Sequence, residues 1–361
     1  MGKASVLYMP STPLNILVAT AHALAHAESQ CSSLVLIDQK NIEHNPYIQA
    51  LDNWQGSPFQ SLSILPGQQT GWKKLRERRQ SFKSLKALLD KISPQAIAVS
   101  SDRRIEFQFA MQYQRQHQSC IGVYLDDGLY SYAGRRTTAL ETILGRVAKK
   151  LAYGAWWNEP VQVGSSSWID QAWLFQPDSA ITDYQQKSIY ALRPEWFASE
   201  PIQELGLALF SAMGASTTSM LELKEVDVCL LIAHPNNILK MQNYQQKVED
   251  FILALTRRGL KVAIKYHPRV KDGDPLNLKE RVGFVIPSQL AFEFVLPQFK
   301  DAIMIVGDVG TSVLTAKWLK SQSQVYAVLY EDDPFQLSFA ALFSQLGVAV
   351  VPTYQAIFDN D

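Results

Sequence analysis

The sequence predicts an α/β protein of two domains, each built on a parallel sheet, with the two sheets facing a cleft. Three observations predict it. The length of 361 residues allows about two domains at roughly 100–200 residues each. Apolar residues make up 47% and charged residues 19%, enough for domain-sized cores. Short apolar runs also alternate with longer amphipathic stretches along most of the chain, the pattern of strands and helices in βαβ units.

In order, Ser5–Met9 reads as a strand and Thr12–Glu28 as a helix. Ser33–Ile37 is a run without alternation, as a strand buried on both faces requires. Ser61–Leu65 reads as a third strand and Gly71–Lys91 as a long basic helix. Gln95–Val99 and Ile121–Leu125 are short strands with a helix near Ile105–Arg115 between them. Ala155–Phe197, rich in Trp, Gln and Ser, has no clear period, and Gly214–Glu225 has the composition of a boundary. The alternation then restarts. Strands are expected at Val226–Ile232, Leu260–Ile264, Ala302–Val306 and Val325–Leu329, and Gly283–Ile286 is short and apolar. Helices are expected at Asn243–Arg258, Gln289–Phe299 and Thr311–Lys320, and Phe335–Leu346 and Val348–Val351 close the pattern. In such a fold the site forms where the carboxyl ends of strands and the loops after them converge.

Charge and cysteine usage exclude several classes. Lys plus Arg and Asp plus Glu are 34 each, so the chain lacks the net positive charge of a dedicated duplex-DNA binder, and no nucleic-acid partner is expected. Cys31, Cys120 and Cys229 are odd in number and far apart, which suggests neither a disulfide framework nor a zinc knuckle and fits a reducing cytoplasm. The apolar stretch Ile16–Ala25 is too short to span a bilayer, and the start lacks a signal-peptide layout, so a soluble, unprocessed protein is expected. No period of 20–50 residues repeats.

Three strand-end loops carry reactive groups. Asp126-Asp127-Gly128 follows Ile121–Leu125. Two adjacent carboxylates there cannot both be core, and one could serve as a general base; an acidic Asp-Gly turn is the competing reading. Lys265-Tyr266-His267-Pro268-Arg269 follows Leu260–Ile264. Pro268 keeps His267 out of the helical region, and flanking cations suit an anionic leaving group; a surface histidine in a basic turn competes. Gly307-Asp308-Val309-Gly310-Thr311-Ser312 precedes a helix. Its hydroxyls either cap that helix or help its N–H groups hold a phosphate. It is not a P-loop, since Gly-Lys-Ser/Thr is missing. Glu293, among apolar neighbours, either meets a ribose diol or belongs to a solvated helix face.

In this order the motifs resemble those of the bacterial sialyltransferases, and most of all the lipooligosaccharide sialyltransferase and capsular polysialyltransferase groups. These carry an acidic-acidic-Gly motif, a His-Pro motif and a Ser/Thr pair, matched here by Asp126-Asp127-Gly128, His267-Pro268 and Thr311-Ser312. Ser11-Thr12-Pro13-Leu14 after the first strand is also similar to how those proteins begin. The resemblance implies two Rossmann-like domains of the GT-B type, here 1–218 on the acceptor side and 219–361 on the nucleotide side. It implies inverting transfer from CMP-sialic acid, or another CMP-linked nonulosonic acid, to a hydroxyl of lipopolysaccharide or capsule, with no metal or other cofactor. Asp127 would deprotonate the acceptor with Asp126 as its neighbour, and His267 would meet the departing CMP phosphate. Gly310, Thr311 and Ser312 would hold that phosphate, with Lys265 and Pro268 beside the histidine, and Glu293 would bind ribose. Thr-Ser stands where Ser-Ser or Ser-Thr is more usual, and Tyr266 where some relatives have a small residue, which leaves the donor sugar open. A UDP-sugar transferase or epimerase, and a non-catalytic glycan or sugar-nucleotide binder, are the alternatives.

Other features are weaker. His22 and His26 read as surface residues of an Ala-rich helix, since no HExxH motif is present. His234-Pro235 competes with His267-Pro268 for the histidine role. Lys73, Lys74, Arg76, Arg78, Arg79, Lys83, Lys86 and Lys91 form a local positive surface that is either a solvated face or a contact for an anionic glycan or the inner membrane. Trp156, Trp157, Trp168 and Trp173 either stack on sugar rings, mark a membrane-facing edge or pack in the core, the last expected for at least half of them. The oligomeric state is not legible.

Overall fold

The computed structural model describes residues 2–134, 147, 149–214, 222–270, 273–330 and 333–359. The chain divides into two compact units, Met1–Ile202 and Gln203–Asp361. The boundary expected at 218/219 falls on residues outside those described.

The first unit holds β1 (Ala4–Tyr8), β2 (Gln30–Gln39), β3 (Phe59–Pro66), β4 (Ala96–Val99), β5 (Ile121–Leu125), β6 (Gln171–Leu174) and β7 (Ser188–Ala191). They pair in the order β3-β2-β1-β4-β5-β6-β7, every pair parallel. The second unit holds β8 (Val228–Leu231), β9 (Val262–Lys265), β10 (Phe284–Ile286), β11 (Met304–Gly307), β12 (Gln324–Val328) and β13 (Ala349–Val351). Their order is β10-β9-β8-β11-β12-β13, again all parallel. Both sheets are therefore doubly wound. Their strand order reverses between β1 and β4 and between β8 and β11, where crossovers depart in opposite directions and open a crevice at the carboxyl ends.

Burial on both faces explains why the strands were legible. Leu34, Val35, Leu36 and Ile37 are all buried, as are Val228, Cys229, Leu230 and Leu231. The helix Gly71–Ile92 buries Arg78, Ser81, Leu85 and Leu89, one stripe at helical spacing. Leu85 and Leu89 pack with Leu7, Val35, Ile97 and Phe107, and truncating either to Ala should cost about 2–5 kcal/mol. In the second unit the helix Tyr244–Arg257 buries Val248, Phe251, Ile252 and Leu255 against Val228, Leu230 and Ile264.

Several expectations are corrected. The helix expected over Gln289–Phe299 is a single turn, Phe292–Val295, followed by a 3-10 turn at Leu296–Gln298 that contains Pro297. Phe335–Leu346 is two short helices, Pro334–Leu337 and Ala340–Gln345. β6 and β7 lie in the stretch that had no clear period. They are four-residue strands, β7 at the sheet edge and β6 inside it, tied by stacking of Trp173 on Tyr190 at 4.7 Å. The helix Glu200–Ala212 was not anticipated.

His22 is not a surface residue. It is buried, its Nδ1 bonds the Tyr8 hydroxyl at 2.8 Å, and its ring lies against His26, Trp173 and Trp196. Burial, aided by His26, pushes its pKa down to about 3. Arg78, counted among the surface cations, is also buried, paired with Asp38 at 2.9 Å and with Glu106. Trp157 is buried, and Trp156 packs on Phe82 and Phe109, in line with core roles.

Candidate active site

The loop after β5 separates its two carboxylates by geometry. Asp126 points inward and is fully buried. Its Oδ1 accepts from Gly128 N at 2.9 Å and Ser131 Oγ at 2.7 Å; its Oδ2 accepts from Phe175 N at 2.9 Å and from the Tyr132 hydroxyl. Because Ser131 donates to Asp126, Tyr124 Oη donates to Ser131 at 2.8 Å and accepts Asp127 N–H at 3.3 Å. That chain pins the Asp127 backbone. Gly128, with φ of +106°, supplies the left-handed turn that lets the loop leave the strand.

Asp127 points the other way, into a pocket of about 250 Å3 lined by Ser11, Thr12, Asn15, Ser101, Arg103, Arg104, Asp127 and Lys149. These residues come from the ends of β1, β4 and β5 and from the helix containing Lys149, at the point where the strand order reverses. Asn15 Nδ2 donates to Asp127 Oδ1 at 2.6 Å. Burial pushes the Asp127 pKa up to about 6, with Asp126 adding to the rise and Asn15 and Arg104 opposing it. Such a carboxylate is ionised at neutral pH yet basic enough to accept a proton. The pocket cations are anchored from behind: Arg104 to Asp38 at 2.5 Å, and Arg103 and Lys149 to Glu159 at 2.7 and 2.6 Å. Asp102 accepts Gly164 N and Ser166 N, both at 2.8 Å, bracing the neighbouring loop.

In the second unit the relevant loops also leave carboxyl ends. The His267 ring lies 4.5 Å from that of His234, so the two histidines that compete for the role are neighbours. Arg269 N donates to His267 Nδ1 at 3.1 Å, which puts the proton of the neutral ring on Nε2 as a donor. Burial, then His234, Arg269 and Lys265, push the His267 pKa down to about 4, so the ring is neutral near pH 7. Arg269 Nη1 lies 2.9 Å from His234 Nε2. Pro268 is exposed. Lys265 turns inward instead of toward the histidine. It is buried, donates to the Tyr266 and Ser288 carbonyls at 3.3 and 3.2 Å, and has its pKa lowered to about 8 by burial, opposed by Glu293. Glu293 is buried and accepts from Thr315 Oγ1 at 2.6 Å, so it does not lie on a solvated helix face.

The helix Thr311–Leu319 starts differently from the expectation of a hydroxyl cap. Gly310 is the N-cap and makes no side-chain cap bond, while Thr311 and Ser312 occupy the first helical positions. The ends of β9 and β11 flank β8, so the His267 and Thr311 loops start two strand spacings apart, roughly 10 Å.

Two residues had no assigned role in the sequence. Asn15 lies 112 positions from Asp127, and its only local signal is its place three residues after the cap Thr12, where a capping side chain would turn back on the helix. Asp308, at the end of β11, is buried, its Oδ2 has no hydrogen-bond partner among the described residues, and burial pushes its pKa up to about 7. Its signal was an aspartate directly after a fully apolar run.

Residues 7–329 match the model of the alpha-2,8-polysialyltransferase family. No curated protein matches the chain in sequence. Among solved structures, the α/β-galactoside α-2,3-sialyltransferase of Photobacterium phosphoreum is similar with a TM-score of 0.58 and 10% identity, over 97% of this chain and 99% of that one. A sialyltransferase GT-B domain of Photobacterium damselae gives 0.53 and 13%, over 97% and 98%. The UDP-GlcNAc 2-epimerase of Methanocaldococcus jannaschii gives 0.57 and 12%, over 98% and 91%. At such identities these structures establish the shared GT-B architecture, which transferases and epimerases both use. The family match covers nearly the whole chain and every motif above, and the chain accordingly belongs to the alpha-2,8-polysialyltransferase family, as a glycosyltransferase that transfers sialic acid.

Proposed function

We propose that the protein transfers sialic acid, or a related nonulosonic acid, from its CMP conjugate to a hydroxyl of a cell-surface glycan, with inversion. The observation that carries this reading is Asp127: of the two loop carboxylates, it alone reaches a pocket, with a pKa near 6. Asp127 takes the proton of the acceptor hydroxyl as that oxygen bonds the anomeric carbon. The bond from that carbon to the CMP phosphate breaks, and its electron pair leaves with the phosphate. One displacement of this kind inverts the centre. His267 donates from Nε2 to the departing phosphate, and the start of the helix at Thr311-Ser312 offers N–H groups and hydroxyls to it. Asp126 holds the loop without touching substrate. Glu293, tied to Thr315, is the residue assigned to ribose. The charge that builds on the phosphate is met by these donors and by Arg269, which supports transfer without a metal.

Arg103, Arg104 and Lys149 around Asp127 favour an acidic acceptor, such as the carboxylate-bearing end of an α-2,8-linked polysialyl chain. Lipopolysaccharide and capsule saccharides are the acceptors proposed. Among the described residues no helix is long and apolar enough to cross a membrane. The helix Gly71–Ile92 exposes Lys73, Lys74, Arg76, Arg79, Lys83, Lys86 and Lys91, with Trp72 88% exposed at its start. That face supports peripheral contact with the anionic cytoplasmic leaflet.

The test is CMP release. The protein is incubated with CMP-sialic acid and a panel of galactosides and sialosides, with and without EDTA, and free CMP is followed beside the mass of the acceptor. Acceptor-dependent release, lost in Asp127→Asn, is expected in both arms. Absence of release with every CMP-linked donor, together with thermal stabilisation by UDP but not CMP, would replace this reading with a UDP-sugar enzyme.

A further inference from the structure

We propose that Asn15 is a positioning residue for the base: its carboxamide occupies Asp127 Oδ1, so that Oδ2 is the oxygen that receives the acceptor proton. This rests on the assignment of Asp127 as base. Asn15 is 2% exposed and sits in the first turn of the helix that follows β1, and its Nδ2 donates to Asp127 Oδ1 at 2.6 Å. An amide can be built either way round, and only one orientation presents a donor. The ionised carboxylate of Asp127 only accepts, which fixes Nδ2 toward it, and Ser11 Oγ meets the other end of the amide by donating to Asn15 Oδ1 at 3.2 Å. Thr12 Oγ1 accepts Asn15 N–H at 3.3 Å and fixes the backbone that carries the amide. The side chain that could have closed a capping box is thus spent on a carboxylate from another strand end.

The consequence is chemical as well as geometric. The groups facing Asp127 are Asn15 on the helix, Asp126 in its own loop, Arg104 and Arg103 after β4, and Lys149, with Arg104 held by Asp38 and the other two cations by Glu159. Asp126 and burial favour the protonated acid; Asn15 and Arg104 favour the carboxylate. Asn15 also blocks one of two oxygens, which removes the rotamers in which the base would face away from the hydroxyl. During transfer the proton moves from the acceptor oxygen to Oδ2 while Oδ1 keeps its amide bond, so the neutral acid formed carries its new O–H on the pocket side.

The pH dependence of kcat tests this on the full chain, with Asn15→Ala, Ser11→Ala, Asn15→Asp and Asp127→Asn. The wild-type acid limb is expected near pH 6. In Asn15→Ala it should move up by about one pH unit, and kcat on the plateau should fall about tenfold or more, with donor KM unchanged. Ser11→Ala, which leaves a helix cap and core untouched, should give a smaller shift in the same direction. Asn15→Asp sets a second carboxylate against Oδ1 and should shift the limb furthest. An unmoved limb and unchanged plateau in both Asn15→Ala and Ser11→Ala, with normal unfolding, would make the amide a mere helix-start contact. Asp127→Asn separates the two levels. Loss of transfer there with unmoved limbs in the others refutes the positioning role alone. An acid limb and transfer that persist in Asp127→Asn refute the base, and the positioning role with it.

Discussion

Replacing Asp308 by asparagine should stabilise the second unit by an amount that grows with pH. The carboxyl lies at the end of β11, buried, with Oδ2 unpartnered among the described residues and the Asn237 side chain as an opposing hydrogen-bond partner. Burial lifts its pKa from 3.8 to about 7. Between those values the native protein holds a proton that the unfolded chain has released, so stability falls as pH rises through that window. The contribution is fully present below pH 3.8 and fully withdrawn above about pH 7, a span of about three pH units at about 1.36 kcal/mol each, or about 4 kcal/mol. Asparagine does not titrate. It brings its own cost, since an amide in place of Oδ2 is also short of a partner, but that cost is independent of pH and cancels when two pH values are compared. From pH 5 to pH 8 the advantage of Asp308→Asn over wild type should therefore grow by about 3 kcal/mol. The assay is urea unfolding at pH 5, 6, 7 and 8, with hydrogen exchange in peptides from β11 and β12 assigning the transition to this unit. A difference that stays flat across that range would refute the reasoning, because it would mean that the carboxyl is solvated in the native state.

Three further outcomes are expected. Asp127→Asn and His267→Ala should each abolish transfer while leaving the protein folded, since neither side chain holds a core together and the raised pKa of Asp127 means that its ionised form adds no stability at pH 7; normal turnover in either would remove its assigned role. Asp126→Ala strands four donors, two of them backbone N–H groups, and should cost about 3 kcal/mol or more in denaturant unfolding as well as activity. Gly164→Ala combines a φ of +79° with a Cβ placed 2.7 Å from Tyr124 Cγ, in the chain that pins Asp127, and should lower stability by about 2 kcal/mol or more in thermal unfolding.

Much of the site was legible because strand ends are. A run such as Ile121–Leu125 or Val262–Lys265 is buried on both faces, so its apolar composition marks where it stops, and the polar residues that follow must lie at the carboxyl edge of the sheet. The acidic loop, the His-Pro loop and the start of the helix at Thr311 were located on that ground. Residues whose neighbours come from elsewhere were misread. His22 lies on a helix whose alanines suggest exposure, but Trp173 and Trp196 from distant segments cover it. Arg78 falls in a basic run, and only Asp38 and Glu106 make its burial tolerable. β6 and β7 escaped because strands of four residues are too short to show a period.

The sequence by itself determined the α/β class, most of the succession of parallel strands and the order of the three motifs, because helix and strand periodicities and apolar runs are local properties of the chain. Only the tertiary structure decided which of two adjacent aspartates enters the pocket. Asp126 and Asp127 are alike in sequence; donors at Gly128, Ser131, Tyr132 and Phe175 draw one inward, and Asn15, 112 residues upstream of the other, holds it at the surface of the pocket. That choice depends on hydrogen-bond partners brought together by sheet order, and no local pattern encodes it.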